Sequence, residues 1–343
     1  MSTFVSHPRA GGRAGGLPSN PRRGRGSSMR TWRWSDRLVL LAAWAAGLSL
    51  CAITAAILLY MGFRGIQYLR PELIFSHPAP SLQQSESGGF LDPLIGTALL
   101  TVIGIAIAAP LAICSALWIV EYGQGGRVNR FLTRIVESSI EVVAGTPDIV
   151  IAFFGLAIFQ LHLFAFASFT ASGAGVYGRS FFAAGAMMSL IALPPLFVTT
   201  RDGLQAVPAH MREAAFALGK TRIATIRRVL LPGVRANIAT GITLGVSRIV
   251  ADTAIVVVLL GATLRIEPGG AVPGLNVLRG TGSTLTSYVY DNSPAGEGGA
   301  PQKAYAAAFV LMLFVLLLNL AVERIARAHA RSSGFVTAIE GIV

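Results

Sequence analysis

An arginine and a carboxylate lie four residues apart inside a long apolar run of this chain. The run reads GVSRIVADTAIVVVLLG, and its charged residues are Arg248 and Asp252. On one continuous helix this spacing places both side chains on the same face. Charges at membrane depth are costly, so they usually face a bundle interior or an aqueous path. The pair is therefore either a structural ion pair or part of an anion path, in which Arg248 binds an oxyanion transiently.

The carboxylate of Asp252 favours one oxyanion over another. Phosphate near neutral pH keeps a proton that it can donate to a carboxylate, whereas sulfate has none. Asp252 can also neutralise Arg248 when the path is empty. A purely structural pair has the same sequence, so both interpretations stay open at this point.

A second group of residues resembles a nucleotide site but lacks its geometry. Gly219-Lys220-Thr221 matches the end of a phosphate-binding loop, which also needs a glycine five positions before Gly219. That position is Ala214, and the intervening residues favour helix over loop. We therefore expect no ATP hydrolysis by this chain itself. The five histidines are scattered, and no H-E-x-x-H or G-x-S-x-G pattern supports a membrane enzyme.

The composition is that of an integral membrane protein. The chain is 53% hydrophobic and only 13% charged. Six apolar segments approach or exceed the roughly 20 residues that a membrane-spanning helix needs. We predict an all-α protein with six transmembrane helices, at Leu38–Gly62, Leu94–Val120, Val142–Phe169, Phe181–Thr200, Ala236–Thr263 and Ala304–Val322.

The third apolar segment is irregular. Its sequence Ala144–Val150 reads AGTPDIV and places Gly145 and Pro147 inside the segment. Irregular backbone at membrane depth is tolerated only where it is buried in protein or lines a cavity. We expect this segment to be broken or partly re-entrant, and Thr146 and Asp148 are further candidates for the substrate path.

The excess positive charge predicts the orientation. Residues 1–37 carry eight arginines against one aspartate, and residues 201–235 carry six arginines and one lysine against two acids. The alternate segments 63–93 and 264–303 are near neutral. By the positive-inside rule both termini and the 201–235 loop are cytoplasmic. Residues 1–37 are predicted to be a disordered basic tail, and topology explains the basic clusters better than nucleic-acid binding does.

The long basic loop is predicted to be helical. Pro208 can open a helix, Gly219 suits a left-handed stop, and Thr221 can cap a second short helix that Pro232 ends or kinks. The small residues Ala214 and Ala215 would allow close approach of a partner. The pattern by itself is equally typical of an amphipathic helix pair at the membrane interface.

At this loop the sequence resembles the permeases of ABC importers. These carry E-A-A, three residues, Gly, nine residues, Ile, one residue and Leu-Pro. Here the matching residues are Glu213, Ala214, Ala215, Gly219, Val229, Leu231 and Pro232, with Val in place of Ile. The resemblance implies a coupling helix that docks on a separate ATPase through Glu213, Ala214, Ala215 and Gly219.

Two further runs are similar to phosphate-specific permeases of the Pst type. That family carries R-A-x-G-E-T, where this chain has Arg248-Ile249-Val250-Ala251-Asp252-Thr253. It also carries E-V-x-A-G-x-P-S-x-V, which Glu141–Val150 matches with Asp148 in place of Ser. The resemblance, which covers about residues 94–325, implies a substrate path at Arg248, Asp252, Thr253, Thr146 and Asp148.

The resemblance also implies the assembly. The chain would be the A-type permease of a phosphate importer in the bacterial cytoplasmic membrane. Its partners would be a C-type permease in a heterodimer, an ATPase dimer and an extracytoplasmic phosphate-binding protein. This chain would bind no cofactor, while the ATPase would bind ATP and Mg²⁺. The alternatives are a permease for molybdate or sulfate, a stand-alone channel or carrier, and a membrane enzyme.

The predicted domain organisation follows from these segments. After the tail, residues 38–93 hold the first transmembrane helix and an outer loop. Residues 94–325 form the permease core, with the coupling loop at 201–235. Residues 326–343 form a cytoplasmic C-terminal tail.

Overall fold

The computed structural model describes residues 34–79, 88–123, 125–168, 177–261, 265–266, 275–294, 296 and 300–332. Within these ranges the secondary structure is helical, and the one isolated β-bridge joins Pro78 to Gly88. The predicted all-α class is therefore confirmed. Most of the predicted N-terminal tail, the last eleven residues and parts of the 264–303 segment lie outside the described ranges.

Fourteen α-helices are distinguished in the described chain. In order they are α1 Trp34–Tyr68, α2 Pro71–Phe75, α3 Leu91–Tyr122, α4 Arg127–Gly145, α5 Asp148–Phe159, α6 Phe181–Ala206, α7 Ala209–Ala217, α8 Arg222–Thr225, α9 Leu231–Gly233, α10 Arg235–Ala251, α11 Ala254–Leu259, α12 Leu275–Arg279, α13 Leu285–Asn292 and α14 Pro301–Ser332. A π-helical turn, Ile226–Leu230, connects α8 to α9.

Four of these helices, α1, α3, α6 and α14, are individually long and apolar enough to cross a membrane. Two further pairs qualify if each counts as one bent span. One pair is α4 with α5, and the other is Arg222–Gly233 with α10. The described chain thus offers four spans, or six with both bent pairs, which agrees with the six predicted segments.

The break expected in the third apolar segment is present. Helix α4 ends at Gly145, α5 begins at Asp148, and the two helices meet at an angle of 109°. Pro147 provides the fixed φ and lacks an N–H, so it suits the position just before α5. Thr146 is extended, with φ −81° and ψ 131°, and its backbone N–H bonds to Val143 O.

The chain divides into two compact units, residues 1–59 and 60–343. The described part of the first unit is the apolar N-terminal portion of α1. Its helix already begins at Trp34, so the last residues of the predicted tail are helical. In the second unit, residues 326–332 continue α14.

Helix α6 is the central helix of the second unit, where it packs against both α3 and α10. Close packing requires small residues. A Cβ at Gly241 on α10 would lie 2.9 Å from Leu196 Cα on α6, so the two backbones approach too closely for a side chain. Two buried clusters surround α6, one around Met188 and Ile255 and the other around Phe197 and Leu230.

Candidate functional site

Two helix breaks lie at the residues that the sequence assigns to the substrate path. The first separates α4 from α5 at Thr146 and Pro147, and the second separates α10 from α11 at Asp252 and Thr253. Helices α5 and α11 pack against each other. Interrupted helices expose backbone dipoles and end groups, which is why they form substrate sites in many membrane transporters.

An ion pair connects the two breaks. Arg248 Nη2, in the last turn of α10, lies 3.6 Å from Asp148 Oδ1, in the first turn of α5. That distance is longer than a hydrogen bond, and the side chain of Arg248 is 54% exposed while that of Asp148 is 31% exposed. The pair is therefore loose and accessible.

Arg248 and Asp252 form no ion pair with each other in the described part of the structure. Helix α10 ends at Ala251, and Asp252 is extended, with φ −74° and ψ 134°. The Asp252 carboxylate bonds to the backbone at the start of α11, and Arg248 pairs with Asp148 instead. Arg248 and Asp148 still act electrostatically on the Asp252 carboxylate.

Asp252 is held by the backbone of the following helix. Its side chain is buried, and its Oδ2 accepts a 2.8 Å hydrogen bond from the Ile255 N–H. This bond satisfies one of the free N–H groups at the start of α11. On the other side of the break, the Thr286 hydroxyl donates to Val250 O at 2.6 Å, so a side chain of α13 satisfies a carbonyl at the end of α10.

The two threonines of the predicted path lie in the breaks themselves. The Thr146 hydroxyl donates to Val142 O at 2.7 Å. Thr253 accepts at its carbonyl from Val257 N at 3.0 Å and thereby begins α11. Both residues are partly accessible. Whether any of the five predicted path residues contacts a substrate stays a prediction.

This arrangement can exchange one anion for another at a single cation. The guanidinium of Arg248 offers several N–H donors in a planar fork, which matches the oxygens of a tetrahedral oxyanion. Asp148 is close enough to hold the cation in place and too distant to form a tight bond. An oxyanion at the break can therefore compete with Asp148 for Arg248.

The predicted coupling loop forms two short helical segments with a glycine turn. Pro208 precedes α7, Gly219 has φ +72°, and the Thr221 hydroxyl accepts from Ala224 N at 3.3 Å at the start of α8. The helical segment that follows bends by 67° into α10 after Pro232. The helix starts, the left-handed turn and the bend predicted for this loop are thus present at these residues.

The coupling loop presents a mixed surface. Glu213, Ala214 and Gly219 are exposed, together with the apolar side chains of Phe216 and Leu218. Ala215 is different, since it is 6% exposed and faces the chain itself. Its place in a docking surface stays a prediction, and in the chain by itself Ala215 packs against its own fold.

Arg212 anchors α7 to the rest of the unit. Its Nε donates to Glu121 Oε1 at 3.0 Å, and its Nη1 and Nη2 donate to Val207 O at 2.9 Å and Leu204 O at 2.8 Å. The guanidinium thus joins α7 to the ends of α3 and α6. Sequence reasoning missed this residue, although it directly precedes Glu213.

A second arginine of the loop holds the same end of α3. The Arg222 guanidinium carbon lies 4.9 Å from the centre of the Tyr122 ring, and Nη1 donates to Glu121 O at 3.3 Å. A cation over an aromatic face is attracted by the ring quadrupole. The sequence signal for this contact was the adjacent pair Glu121-Tyr122 at the end of an apolar run. Its role is visible only in the structure, where the loop packs on these two residues.

Over the described residues no group of three or more His, Cys, Asp or Glu side chains is placed to hold a metal ion. The functional features are instead a bundle of apolar helices, two broken segments that meet at an ion pair, and an anchored helical loop. Together they are typical of a membrane transport protein.

Comparison with known proteins gives the family. Residues 108–333 match the binding-protein-dependent transport system inner membrane component. The chain is 30% identical over 244 residues to the phosphate transport system permease protein PstA 1 of Mycobacterium tuberculosis, covering 71% of this chain and 72% of the relative. It is 26% identical over 315 residues to PstC 2 of Mycobacterium bovis, covering 87% and 94%.

Solved structures agree on the fold. A bacterial alginate ABC transporter in complex with a periplasmic protein has a chain with TM-score 0.59 and 16% identity, covering 88% of this chain and 98% of that one. The MetNI methionine ABC transporter gives TM-score 0.50 and 17% identity, covering 70% and 94%. The fold is therefore that of a type I ABC-importer permease.

The chain belongs to the family of inner membrane components of binding-protein-dependent transport systems. It is a multi-pass inner membrane protein and a non-catalytic subunit, because ATP hydrolysis in such systems belongs to a separate ATPase. The expectation of an ABC-importer permease is confirmed, and a stand-alone channel or membrane enzyme is excluded.

Proposed function

We propose that this chain is the A-type permease of an ATP-driven importer of inorganic phosphate and forms half of the translocation path. The observation that carries the proposal is the Arg248–Asp148 pair between two facing helix breaks. The names of the related permeases PstA 1 and PstC 2 supply the substrate, since both belong to phosphate transport systems.

The chemistry of the pair suits phosphate import. An incoming phosphate replaces Asp148 as the partner of Arg248, and the guanidinium fork binds two of its oxygens. The carboxylate of the buried Asp252 accepts a hydrogen bond from the hydroxyl group that a monohydrogen or dihydrogen phosphate still carries. When the path opens to the other side, Asp148 returns to Arg248 and the anion is released, so the Arg248 cation keeps an anionic partner throughout.

The chain acts in an assembly with proposed partners. A C-type permease forms the other half of the path as a heterodimer, and a phosphate-binding protein delivers the substrate from outside. An ATPase dimer binds ATP and Mg²⁺, while this chain binds no cofactor. The exposed face of α7 around Glu213 docks on one ATPase subunit, and Arg212 transmits its movement to α3 and α6.

The substrate is tested by uptake into proteoliposomes that contain both permeases, the ATPase and the binding protein. We expect ATP-dependent accumulation of labelled phosphate that a tenfold excess of sulfate or molybdate does not reduce. Uptake of sulfate or molybdate in place of phosphate would overturn the proposed substrate. A complex without the ATPase serves as the control for passive leakage.

Docking is tested separately in the same system. Glu213→Lys reverses the charge of an exposed residue that makes no anchoring contact within the described structure. We expect the variant to insert normally but to lose copurification of the ATPase. A Glu213→Lys complex that assembles and transports normally would show that the face of α7 around Glu213 does not dock on the ATPase.

A further inference from the structure

A polar cavity lies where the end of α3, the first turns of α4 and the end of α6 meet. Its volume is about 340 Å³. A water molecule takes a share of about 30 Å³ in the liquid, so the cavity has room for a small anion with several waters. It lies beside the coupling-loop anchor and away from the helix breaks of the proposed path.

The α4 wall of this cavity carries the groups that can recognise an anion. Arg130, Thr133, Arg134 and Glu137 all line it, and their spacing places them on one face of α4. Within the described chain, Arg130 has one long hydrogen bond, 3.4 Å from Nε to Gly126 O, and it is exposed. Two arginines one helical turn apart thus line the same cavity.

The charge balance of the cavity is positive. Glu137 is its carboxylate, and Arg201 Nη1 lies 3.6 Å from Glu137 Oε1. This neighbouring cation offsets only part of the negative charge of Glu137, because Arg201 Nη2 also lies 3.3 Å from Asp202 Oδ1. The two arginines of the wall therefore act on the cavity without an equal opposing charge.

A buried hydroxyl provides the second and independent observation. Thr133 Oγ1 is fully enclosed and has no hydrogen-bond partner among the described residues. Buried polar atoms are normally satisfied, so an orphaned hydroxyl in a cavity wall indicates a missing partner. Gly123 packs directly against this hydroxyl, because a Cβ there would lie 2.6 Å from Thr133 Oγ1.

We propose that this cavity binds a phosphate group, held by Arg130 and Arg134 with Thr133 donating a hydrogen bond. Arginine pairs bind phosphate oxygens through charge-assisted and often bidentate bonds, and phosphate offers several acceptor oxygens for the remaining hydroxyl. The group is either free phosphate or the headgroup of an anionic phospholipid. The site is separate from the proposed substrate path and does not depend on the proposed substrate.

The position of the site links it to the coupling loop. Ile119 and Val120 of its wall directly precede Glu121, the acceptor of Arg212. Gln205 of its wall directly follows Leu204, whose carbonyl accepts from Arg212. An occupied cavity therefore braces the corner of α3 and α6 on which α7 is anchored.

Binding is located by thiol protection in the assembled transporter. Cys51 and Cys114 are replaced by serine, and Gln205→Cys places an accessible thiol in the cavity wall. In detergent, inorganic phosphate should slow labelling of this thiol in a saturable way, whereas chloride at equal ionic strength should not. A second arm uses membranes without free phosphate. Protection of the thiol in phosphatidylglycerol membranes, but not in phosphatidylcholine membranes, identifies the ligand as a lipid headgroup.

Matched variants decide whether the arginines bind the ligand. Arg134→Gln should raise the phosphate or lipid level needed for half-protection about tenfold, since a hydrogen bond to a charged group is lost. Arg127→Gln removes the same charge from an exposed position outside the cavity and should leave protection unchanged. Thr133→Val keeps the shape and both arginines, so it should weaken protection even if Arg134→Gln assembles poorly.

The opposite results would overturn the site. These are absence of protection both by phosphate in detergent and in phosphatidylglycerol membranes, or equal protection in the Arg134→Gln and Arg127→Gln variants. Because the labelled thiol lies in the cavity wall, loss of transport at the helix breaks does not affect the measurement.

Discussion

Arg212 and Glu121, which are 91 positions apart in the chain, meet through a 3.0 Å hydrogen bond from Nε to Oε1. The Glu121 side chain is only 7% exposed and that of Arg212 is 21% exposed. Arg212 also donates to two backbone carbonyls at the end of α6. One guanidinium thus fixes the position of the coupling loop relative to two membrane helices.

Loss of the Glu121 carboxylate should loosen the coupling loop. Glu121→Ala leaves Arg212 partly buried without its carboxylate, at a cost of about 1.5–3 kcal/mol for a hydrogen bond to a charged group. We expect the assembled complex to hydrolyse ATP while phosphate uptake falls, because movement of the ATPase no longer reaches α3.

Glu121→Gln is the matched control for that variant. Its amide oxygen can still accept from Arg212, so its uptake should lie between that of the native chain and that of Glu121→Ala. The two activities are measured on one proteoliposome preparation. Unchanged uptake per ATP in Glu121→Ala would show that the anchor has no part in coupling.

The coupling loop also depends on a backbone conformation that the sequence predicted. Gly219 has φ +72°, and a Cβ there would meet nothing within 4 Å. The cost of a substitution is therefore conformational, about 1–2 kcal/mol for an ordinary L-residue. Gly219→Val should reduce ATPase copurification, whereas Gly219→Asn should retain most of it, because asparagine tolerates this region. Equal assembly of both variants would contradict the requirement.

The sequence predicted the membrane spans and the helix starts and stops of the coupling loop because these are local properties. Apolar length, Pro147, Gly219 and Thr221 act within a few residues of themselves. The break at Asp252 was missed, although Asp252 bonds to the backbone N–H three residues further on, as the residue before a helix often does. The break is supported by distant groups such as Thr286, which no local pattern reveals.

The pairings were also beyond the sequence. Arg248 has Asp252 nearby along the chain, yet its partner Asp148 comes from another helix. The burial of Ala215 likewise depends on which face of α7 turns toward the chain. The motifs identified the residues, while tertiary packing decided their contacts.

The close contact of α6 with α10 gives a stability prediction. Gly241→Ala forces a Cβ to within 2.9 Å of Leu196 Cα, so the helices must separate, at a cost of about 1–3 kcal/mol. Gly233→Ala is the matched control, because a Cβ there has nothing within 4 Å and the position is exposed. The temperature of thermal unfolding in detergent should fall for Gly241→Ala and stay unchanged for Gly233→Ala. A similar unfolding temperature for both would contradict the packing.

The orientation remains a prediction from charge and is open to direct labelling. In a background without Cys51 and Cys114, Lys220→Cys lies on the coupling loop and Tyr290→Cys lies on α13, and both positions are exposed. An impermeant thiol reagent should label Tyr290→Cys from outside intact cells and Lys220→Cys only after the membrane is opened. Labelling of both from outside would overturn the topology.

In the proposed mechanism Arg248 binds the transported phosphate. Between transport cycles, Asp148 pairs with Arg248 instead. The decisive measurement is phosphate uptake by the assembled complex carrying Arg248→Leu together with Asp148→Leu. Replacing both residues removes both charges of the ion pair and leaves no unpaired charge behind, so the complex should fold and assemble. ATPase copurification checks assembly, and Arg248→Lys, which lacks the guanidinium fork, should also transport poorly.

We expect the double variant to assemble normally and its phosphate uptake to fall at least about tenfold, since a charge-assisted bond to the anion is lost. A double variant that assembles and takes up phosphate at a near-normal rate would show that the Arg248–Asp148 pair is only structural, and the path would then have to lie elsewhere.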